Sequence, residues 1–386
     1  MSKVLSGIRI ADFTHVLSGP IATHFLCLMG ADVIKIESPE GGDTMRNYGT
    51  DQSGMAPPFI AVNAGKRSIA LDLKSEAGLE SARRLLATCD VVVENFRPGV
   101  MDRLGLSHET CRKLNPNIIY CSISGYGQFG ELRNNPAIDQ IIQSTSGLMS
   151  LTGEPSTPPI RIGFPVVDTF TGLLAAFAIM SSLLRRERSG EGQYIDVAMF
   201  DAALVMMISI LGPYLINGIK PEKQGNRGFS MSPTADTFPT KQGSITLGAV
   251  RQEQFERLCK AIGRPDLIAD PRYADRKSRI ENAGSLRESV IEGLASRTAE
   301  EWEPLLNAVS VAAGVVREIP DVAAQSHLTD RHLKLPVAFP GFSLEQVEVL
   351  NAGFLFAQDA PGIDRPPPRL GEHTEEIMRE LDMPTV

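Results

Sequence analysis

The stretch Gly163-Phe164-Pro165-Val166-Val167-Asp168-Thr169-Phe170-Thr171-Gly172 puts one carboxylate where an extended, proline-containing segment gives way to an apolar run. Position alone allows two roles for Asp168. A carboxylate at a helix start accepts hydrogen bonds from the first backbone N–H groups and needs no other purpose. The same carboxylate, kept ionised by the helix dipole, can also act as a nucleophile. A second set of residues carries positive charge: Lys66-Arg67, Arg97 with Arg103, and Arg46 fall in or beside loops next to expected strands. Gathered on one face of a sheet, they point to a polyanionic ligand, because phosphates favour Arg and Lys groups and free backbone N–H. Gly125-Tyr126-Gly127-Gln128-Phe129-Gly130 has the GxGxxG spacing after a strand. It is followed by Asn134-Asn135-Pro136 instead of an apolar helix, and no acidic residue ends a strand about 20 residues on. A tight glycine loop beside the cleft fits better than a dinucleotide site.

The elements that must position these residues are legible in outline. Gly7 to Phe13, Ala31 to Glu37, Ser68 to Leu73, Asp90 to Glu94 and Asn117 to Ile123 read as strands, with helices at Ile21 to Met29 and Ser75 to Ala87. Strands alternating with helices predict an α/β fold: a Rossmann-like parallel sheet covered on both faces, with ligands at the carboxyl ends of its strands. Thr169 to Arg186 and Met199 to Leu211 read as buried apolar helices. From Gly225 the texture turns to loops, a strand at Ile245 to Gly248, and helices at Gln252 to Ile262, Ser278 to Leu294 and Ala299 to Leu306, the last expected to break at Pro304. The expected division is a large domain over 1–215, a smaller α+β domain over 225–330, and a segment over 331–386 that returns to the first and ends in a helix at Gly371 to Leu381.

Composition narrows the classes. A net charge of -8 offers no global field for nucleic acid or an acidic membrane, so an anionic ligand must be held locally. The 5 cysteines and 6 histidines show no metal-ligand spacing, so no metal is expected and reduced thiols in a cytoplasmic protein are. The amino end lacks a signal-type apolar region, the stretch Phe170 to Leu184 is too short to span a bilayer, and the run after Ala202 is cut by Gly212 and Pro213. No membrane partner is expected.

Several pieces, taken in order, resemble one family. They are Leu5-Ser6-Gly7-Ile8-Arg9-Ile10-Ala11-Asp12-Phe13 with Gly19-Pro20, Gly30 to Glu37, and Asn63 with Lys66 to Lys74. Glu94-Asn95-Phe96-Arg97-Pro98-Gly99, Gly190 to Met199 and Leu370-Gly371-Glu372-His373-Thr374 complete the set. Together they resemble family III CoA-transferases, the CaiB/BaiF family, along the whole chain. The resemblance implies that Asp168 is the catalytic aspartate. It places CoA contacts at His15, Val16, Leu17, Ser18, Leu71, Asp72, Leu73, Lys74, Asn95, Phe96, Arg97 and Arg103. Pro136 to Asp139, with Ala137, Ile138 and Asp139 as contacts, would close on the pantetheine arm. Ser38 stands where a formyl-CoA transferase has an arginine, which hands that phosphate contact to Arg46. Gly248, Ala249, Val250 and Arg251 replace a glycine-rich loop that covers the acyl group, so the acyl specificity should differ. An interlocked homodimer is also implied.

The chemistry implied is exchange of CoA between an acyl-CoA and a small carboxylic acid, through an aspartyl anhydride and an enzyme-CoA thioester. Arg251 and Arg161 are candidates for holding the far carboxylate of a dicarboxylic acid, with succinyl-CoA as donor. The alternative within the family is an acyl-CoA racemase or epimerase, which needs a histidine paired with an aspartate for α-proton transfer. This chain has Ala137-Ile138-Asp139 at that place and no histidine between His108 and His327, which favours the transferase.

Overall fold

The computed structural model describes residues 3–49, 55–340 and 344–383. The chain forms two compact units. The first comprises Met1–Met149, Arg161–Lys220 and Ser326–Val386; the second comprises Ser150–Ile160 and Pro221–Gln325. The short segment Ser150–Ile160 therefore belongs with the second unit, although it lies within the stretch 1–215.

Strands and helices alternate in the first unit. The order is β1 (Arg9–Asp12), α1 (Ser18–Leu28), β2 (Asp32–Glu37), α2 (Pro57–Asn63), β3 (Arg67–Ala70), α3 (Glu76–Ala87) and β4 (Val91–Glu94). It continues with α4 (Val100–Arg103), α5 (His108–Leu114), β5 (Ile119–Ser124), α6 (Asp139–Thr145), α7 (Val166–Ser189), β6 (Gln193–Ala198), α8 (Met199–Met206) and α9 (Ile208–Asn217). The six strands lie parallel in the order β3-β2-β1-β4-β5-β6, with Ala11 level with Ile34 on one side and Val92 on the other. Sheets of this kind are buried on both faces, and the near-continuous β-branched runs reflect it: every residue of β4 and β5 is buried. One face packs Phe13, Ile36, Leu85, Val92 and Tyr120 against α3, α5 and the closing helix Thr374–Glu380. The other packs Ile10, Val33, Val93 and Ile123 against Leu26 of α1 and Ala175, Ile179 and Leu183 of α7. Strand order reverses between β1 and β4, and a crevice opens there beyond the carboxyl ends of the strands.

Three elements of this unit differ from the sequence expectation. β6 was covered by a motif but not read as a strand; its alternation is blunted because Gln193 and Tyr194 sit at an edge of the sheet with only β5 as neighbour. The apolar segment from Met199 bends by 80° at Met207, not at Gly212-Pro213, and Pro213 lies inside α9. Helix α7 begins at Val166, so the buried and flanking residues together make 24 residues, long and apolar enough by length and composition to cross a membrane. That corrects the shorter span read from Phe170 to Leu184. In this fold 44% of its apolar window is buried, where it lies on α1 and the sheet.

The second unit has a three-stranded antiparallel sheet, Thr237–Pro239, Ser244–Leu247 and Ala313–Val315. Its core is Phe238, Phe255, Leu258, Tyr273, Leu294 and Trp302. Helix Ala299–Ala308 runs through Pro304 unbroken, started by a reciprocal cap between Thr298 and Glu301; Pro304, the sixth residue, removes one interior N–H donor, the one that would bond the Glu300 carbonyl. The stretch Ser278 to Leu294 is two helices, Arg276–Glu281 and Ala283–Leu294, parted at Asn282.

Candidate active site

Beyond the carboxyl ends of β1, β4 and β5 lies a cavity of about 440 Å³. Three chain segments supply most of its wall: Val16-Leu17-Ser18 after β1, Asn95-Phe96-Arg97-Pro98 after β4, and Ala137-Ile138-Asp139-Gln140 leading into α6. Asp168 and Pro165 of the α7 start, Gly125, Met199, Arg133 and Arg161 are also among its lining residues. Among the residues named from sequence, the cavity thus gathers Val16, Leu17, Ser18, Asn95, Phe96, Arg97, Ala137, Ile138, Asp139, Arg161 and Asp168.

The loop after β1 is held open by its neighbours. Asn95 bonds His15 twice, accepting from its N–H at 2.8 Å and donating to its carbonyl at 2.8 Å. The His15 ring lies on Phe96 with centroids 5.5 Å apart. Val16 has φ +65°, a left-handed conformation that a β-branched residue adopts only at a cost of about 1–3 kcal/mol. Its N–H donates to Asp43 Oδ1 at 3.1 Å, and Asp43 is itself paired with the wholly buried Lys35 at 2.9 Å. The loop then enters α1 at Ser18, presenting the first turn of that helix, whose leading N–H groups have no intrahelical partner, to the cavity.

Asp168 is brought to Ser18 by a close crossing of α1 and α7. Gly172, one turn after Asp168, lies so near α1 that a Cβ there would stand 2.6 Å from both Ile21 Cγ2 and the Ser18 carbonyl oxygen. The Ser18 hydroxyl lies beside the Asp168 carboxyl and favours its ionised form. Asp168 is the third residue of α7 and does not cap it. The cap comes from Asp139, whose Oδ1 accepts from the N–H of Val167 at 2.8 Å and of Asp168 at 3.1 Å. Burial, and then the charge of Asp139, raise the Asp168 carboxyl from the usual carboxylate range to about 7, against the opposing Ser18 hydroxyl. The simple cap reading of Asp168 is thereby replaced: the group stands half-buried with a raised proton affinity on a cavity wall.

Several of the residues expected near the ligand lie outside this wall. Arg46 is committed to Glu37 through Nε at 2.8 Å and Nη2 at 2.7 Å, donates to the Pro368 carbonyl, and stacks on Phe59. Its guanidinium is held in a nearly buried ion pair, and Arg46, expected at a phosphate, does not line the cavity. Lys66 is fully buried against Asp12 at 3.0 Å, and Arg67 pairs with Asp32, Glu376 and Glu380 at the opposite end of β3. Leu71 and Leu73 spend their side chains in the core, while Asp72 and Lys74 are exposed in the turn before α3, outside the cavity wall. Arg103 is exposed on α4, also outside that wall. The cations that do line the cavity are Arg97, Arg133 and Arg161. Arg133 was missed; the signal available was its place in Glu131 to Asn135, between the glycine loop and Pro136. That glycine loop does reach the cavity: at Gly125 a Cβ would meet Ala137 Cβ at 2.3 Å, so only glycine lets the two segments pass.

Gly248 to Arg251 belong to the second unit, between strand Ser244–Leu247 and helix Gln252–Ala261. Ala249 is buried, its N–H bonded to the Thr234 carbonyl, while Arg251 is exposed and its N–H donates to Gln254 Oε1 at 3.0 Å. No group of His, Cys, Asp and Glu suited to a metal occurs among the described residues.

A parallel sheet of this order, with a carboxyl group and three arginines around a crevice at its switch point, defines an α/β enzyme for an anionic substrate. Residues 5–374 match the family model described as CoA-transferase family III. The chain is 36% identical to a succinate–glutarate CoA-transferase of Agrobacterium fabrum, over 98% of this chain and 96% of that protein. It is 36% identical to a succinyl-CoA:mesaconate CoA-transferase of Haloarcula hispanica, over 99% and 97%. The crystal structure of a CaiB/BaiF family protein from Brucella suis superposes with a TM-score of 0.91 at 35% identity, covering 99% of this chain and all of that one. The protein belongs to CoA-transferase family III, and it is an enzyme that transfers CoA.

Proposed function

We propose that the protein moves CoA from succinyl-CoA to a short dicarboxylic acid, with Asp168 as the covalent carrier. The observation that carries this reading is the Asp168 carboxyl, half-buried on a cavity wall beside Ser18 and sharing that cavity with Arg97, Arg133 and Arg161. Similar proteins named for succinate, glutarate and mesaconate support the choice of dicarboxylate.

In this reading an Asp168 oxygen attacks the thioester carbonyl carbon, and the carbon–sulfur bond breaks to give a mixed anhydride and CoA thiolate. The thiolate then attacks Asp168 Cγ, releasing the donor acid and leaving CoA as a thioester on the enzyme. The acceptor carboxylate attacks that thioester, and the returning thiolate takes the new acyl group, restoring Asp168. Each step exchanges activated acyl bonds of similar energy, so one difficult exchange becomes several easy ones. Arg161, with one N–H on the Ile162 carbonyl at 2.9 Å and the rest of its fork available, suits the far carboxylate of the acid. Arg97 and Arg133 suit the phosphates of CoA.

Mixing the enzyme with a panel of acyl-CoAs and acids, and detecting new thioesters by mass, tests the reading: transfer to a dicarboxylate is expected, and no transfer with any pair refutes it. Exchange of the α-hydrogen for deuterium in heavy water without an acceptor acid would favour the racemase alternative.

The enzyme is further proposed to work as a homodimer in a reducing compartment. Helix α9 buries none of its residues, with Ile208, Leu215 and Ile216 70%, 72% and 85% exposed, an apolar surface suited to a second copy. The cysteines are free, buried thiols. Sedimentation equilibrium should give twice the chain mass; a monomer at micromolar concentration would refute the dimer.

A further inference from the structure

Resting on the reading of Asp168 as covalent carrier, we infer that Asp139 is a positioning residue of the reaction, which holds the first turn of α7 in place. Helix α7 has no cap of its own, because the residue at its N-cap position is Pro165, which carries no polar side-chain atom. The missing acceptor is supplied from α6. Asp139 Oδ1 takes the N–H of Val167 and of Asp168, and its Oδ2 accepts from Gln143 Nε2 at 2.6 Å. Gln143 is fully buried, and its Oε1 accepts the Ile162 N–H at 2.9 Å. One carboxylate and one carboxamide thus join three parts of the cavity wall: α6, the nucleophile's helix, and the strand of chain that carries Arg161 and Pro165.

The chain of bonds has a direction. Gln143 must accept from Ile162, so it can only donate to residue 139, and residue 139 must accept through both of its oxygens. A carboxylate does this and a carboxamide does not: with Asn, an NH₂ group would face either Gln143 Nε2 or the N–H groups of α7. Both Asp139 oxygens therefore have protein partners.

Its charge matters as well as its bonds. Asp139 is the charged neighbour that opposes ionisation of Asp168, while Ser18 favours it; Arg97, Arg133 and Arg161 are the other charged groups facing the cavity. Removing the charge at 139 should let Asp168 ionise at lower pH.

The test uses the full-length protein with Asp139→Asn and the double variant D139N/Q143E. In the double variant the new amide donates to the new carboxylate, which still accepts from Ile162, so every bond is restored and the charge moves one helical turn away, from 139 to 143. The rate of CoA adduct formation at Asp168, read by peptide mass between about pH 5 and 9, is compared with KM for acyl-CoA and with the melting curve. Asp139→Asn should slow adduct formation roughly ten- to a hundredfold, as a misplaced nucleophile does, and shift the acid limb to lower pH. KM should stay within about threefold, and the double variant should recover to within about tenfold of the parent rate. A raised KM with an unchanged rate, or an unchanged rate and acid limb, overturns the inference. Should the single variant not fold, a folded double variant that still forms no adduct overturns it too. If the parent protein itself forms no adduct at Asp168 with any acyl-CoA, the covalent reading fails and this inference with it.

Discussion

In the proposed reaction Asp168 serves as the reagent, and its setting in the fold has consequences for stability as well. Its proton affinity, raised to about 7 by burial and by Asp139, means that the folded state binds a proton that the unfolded chain releases near 3.8. The sign follows: the contribution to stability is intact below about pH 4, declines as pH rises towards about 7, and is then fully lost. Asp168→Asn should therefore melt above the parent at pH 8, with the gap closing as pH falls towards 5, while forming no enzyme-CoA adduct. An Asn variant that melts below the parent at pH 8 would show that the carboxylate is better accommodated than its surroundings imply. In the sequence, Asp168 was visible as a carboxylate at a helix start, and family resemblance gave it a role. Its capping by Asp139 was not visible, since the two lie 29 residues apart and meet only when α6 packs beside α7.

At the level of elements, the site depends on two helices that touch almost backbone to backbone. Gly172 leaves no room for a Cβ against Ile21 and the Ser18 carbonyl, so Gly172→Ala must push α1 and α7 apart. We expect a loss of about 1–3 kcal/mol in stability, together with a larger drop in kcat than the loss of stability explains, because Ser18 and Asp168 separate. Melting curves and single-turnover rates check both; wild-type turnover in a folded variant would show that the crossing does not set the site. The neighbouring loop relies on buried charge. Lys66 Nζ bonds Asp12, Thr23, Asn63 and the Pro20 carbonyl, and Lys35 bonds Asp43 and the Thr14 carbonyl. Lys66→Met would strand Asp12 in the core, costing about 3–5 kcal/mol and raising KM for acyl-CoA as residues 14–18 loosen. An unchanged urea midpoint would refute this. The sequence pattern counts Lys66 and Arg46, but not Lys35, among the ligand's cations. They are basic residues near strand ends, as expected, but a buried carboxylate lies within reach of each and claims it first.

Over the whole first unit, the chain leaves after Lys220 and returns at Ser326, and its last helix docks on the sheet that its first residues began. Arg67 makes that closure, with Asp32 at 2.5 Å, Glu380 at 2.6 Å and Glu376 at 2.9 Å. Arg67→Ala should cost about 3 kcal/mol and expose the closing helix to proteolysis before the rest unfolds; coincident loss of both would refute a separate docking step. What the sequence determined by itself was local and periodic: alternating β-branched runs and helical stretches, with a strand-end loop carrying Asn95, Phe96 and Arg97 and a helix start carrying Asp168, specify an α/β sheet and its ligand edge. Period and turn chemistry act over a few residues, so one chain suffices to read them. What only the tertiary structure decided was which charges remain for the ligand. Arg46, Lys66 and Arg67 are consumed by Glu37, Asp12 and Asp32, whereas Arg97, Arg133 and Arg161 face the cavity. Pairing between residues far apart in the chain depends on distance in space and on burial, and neither quantity is written in the order of the residues.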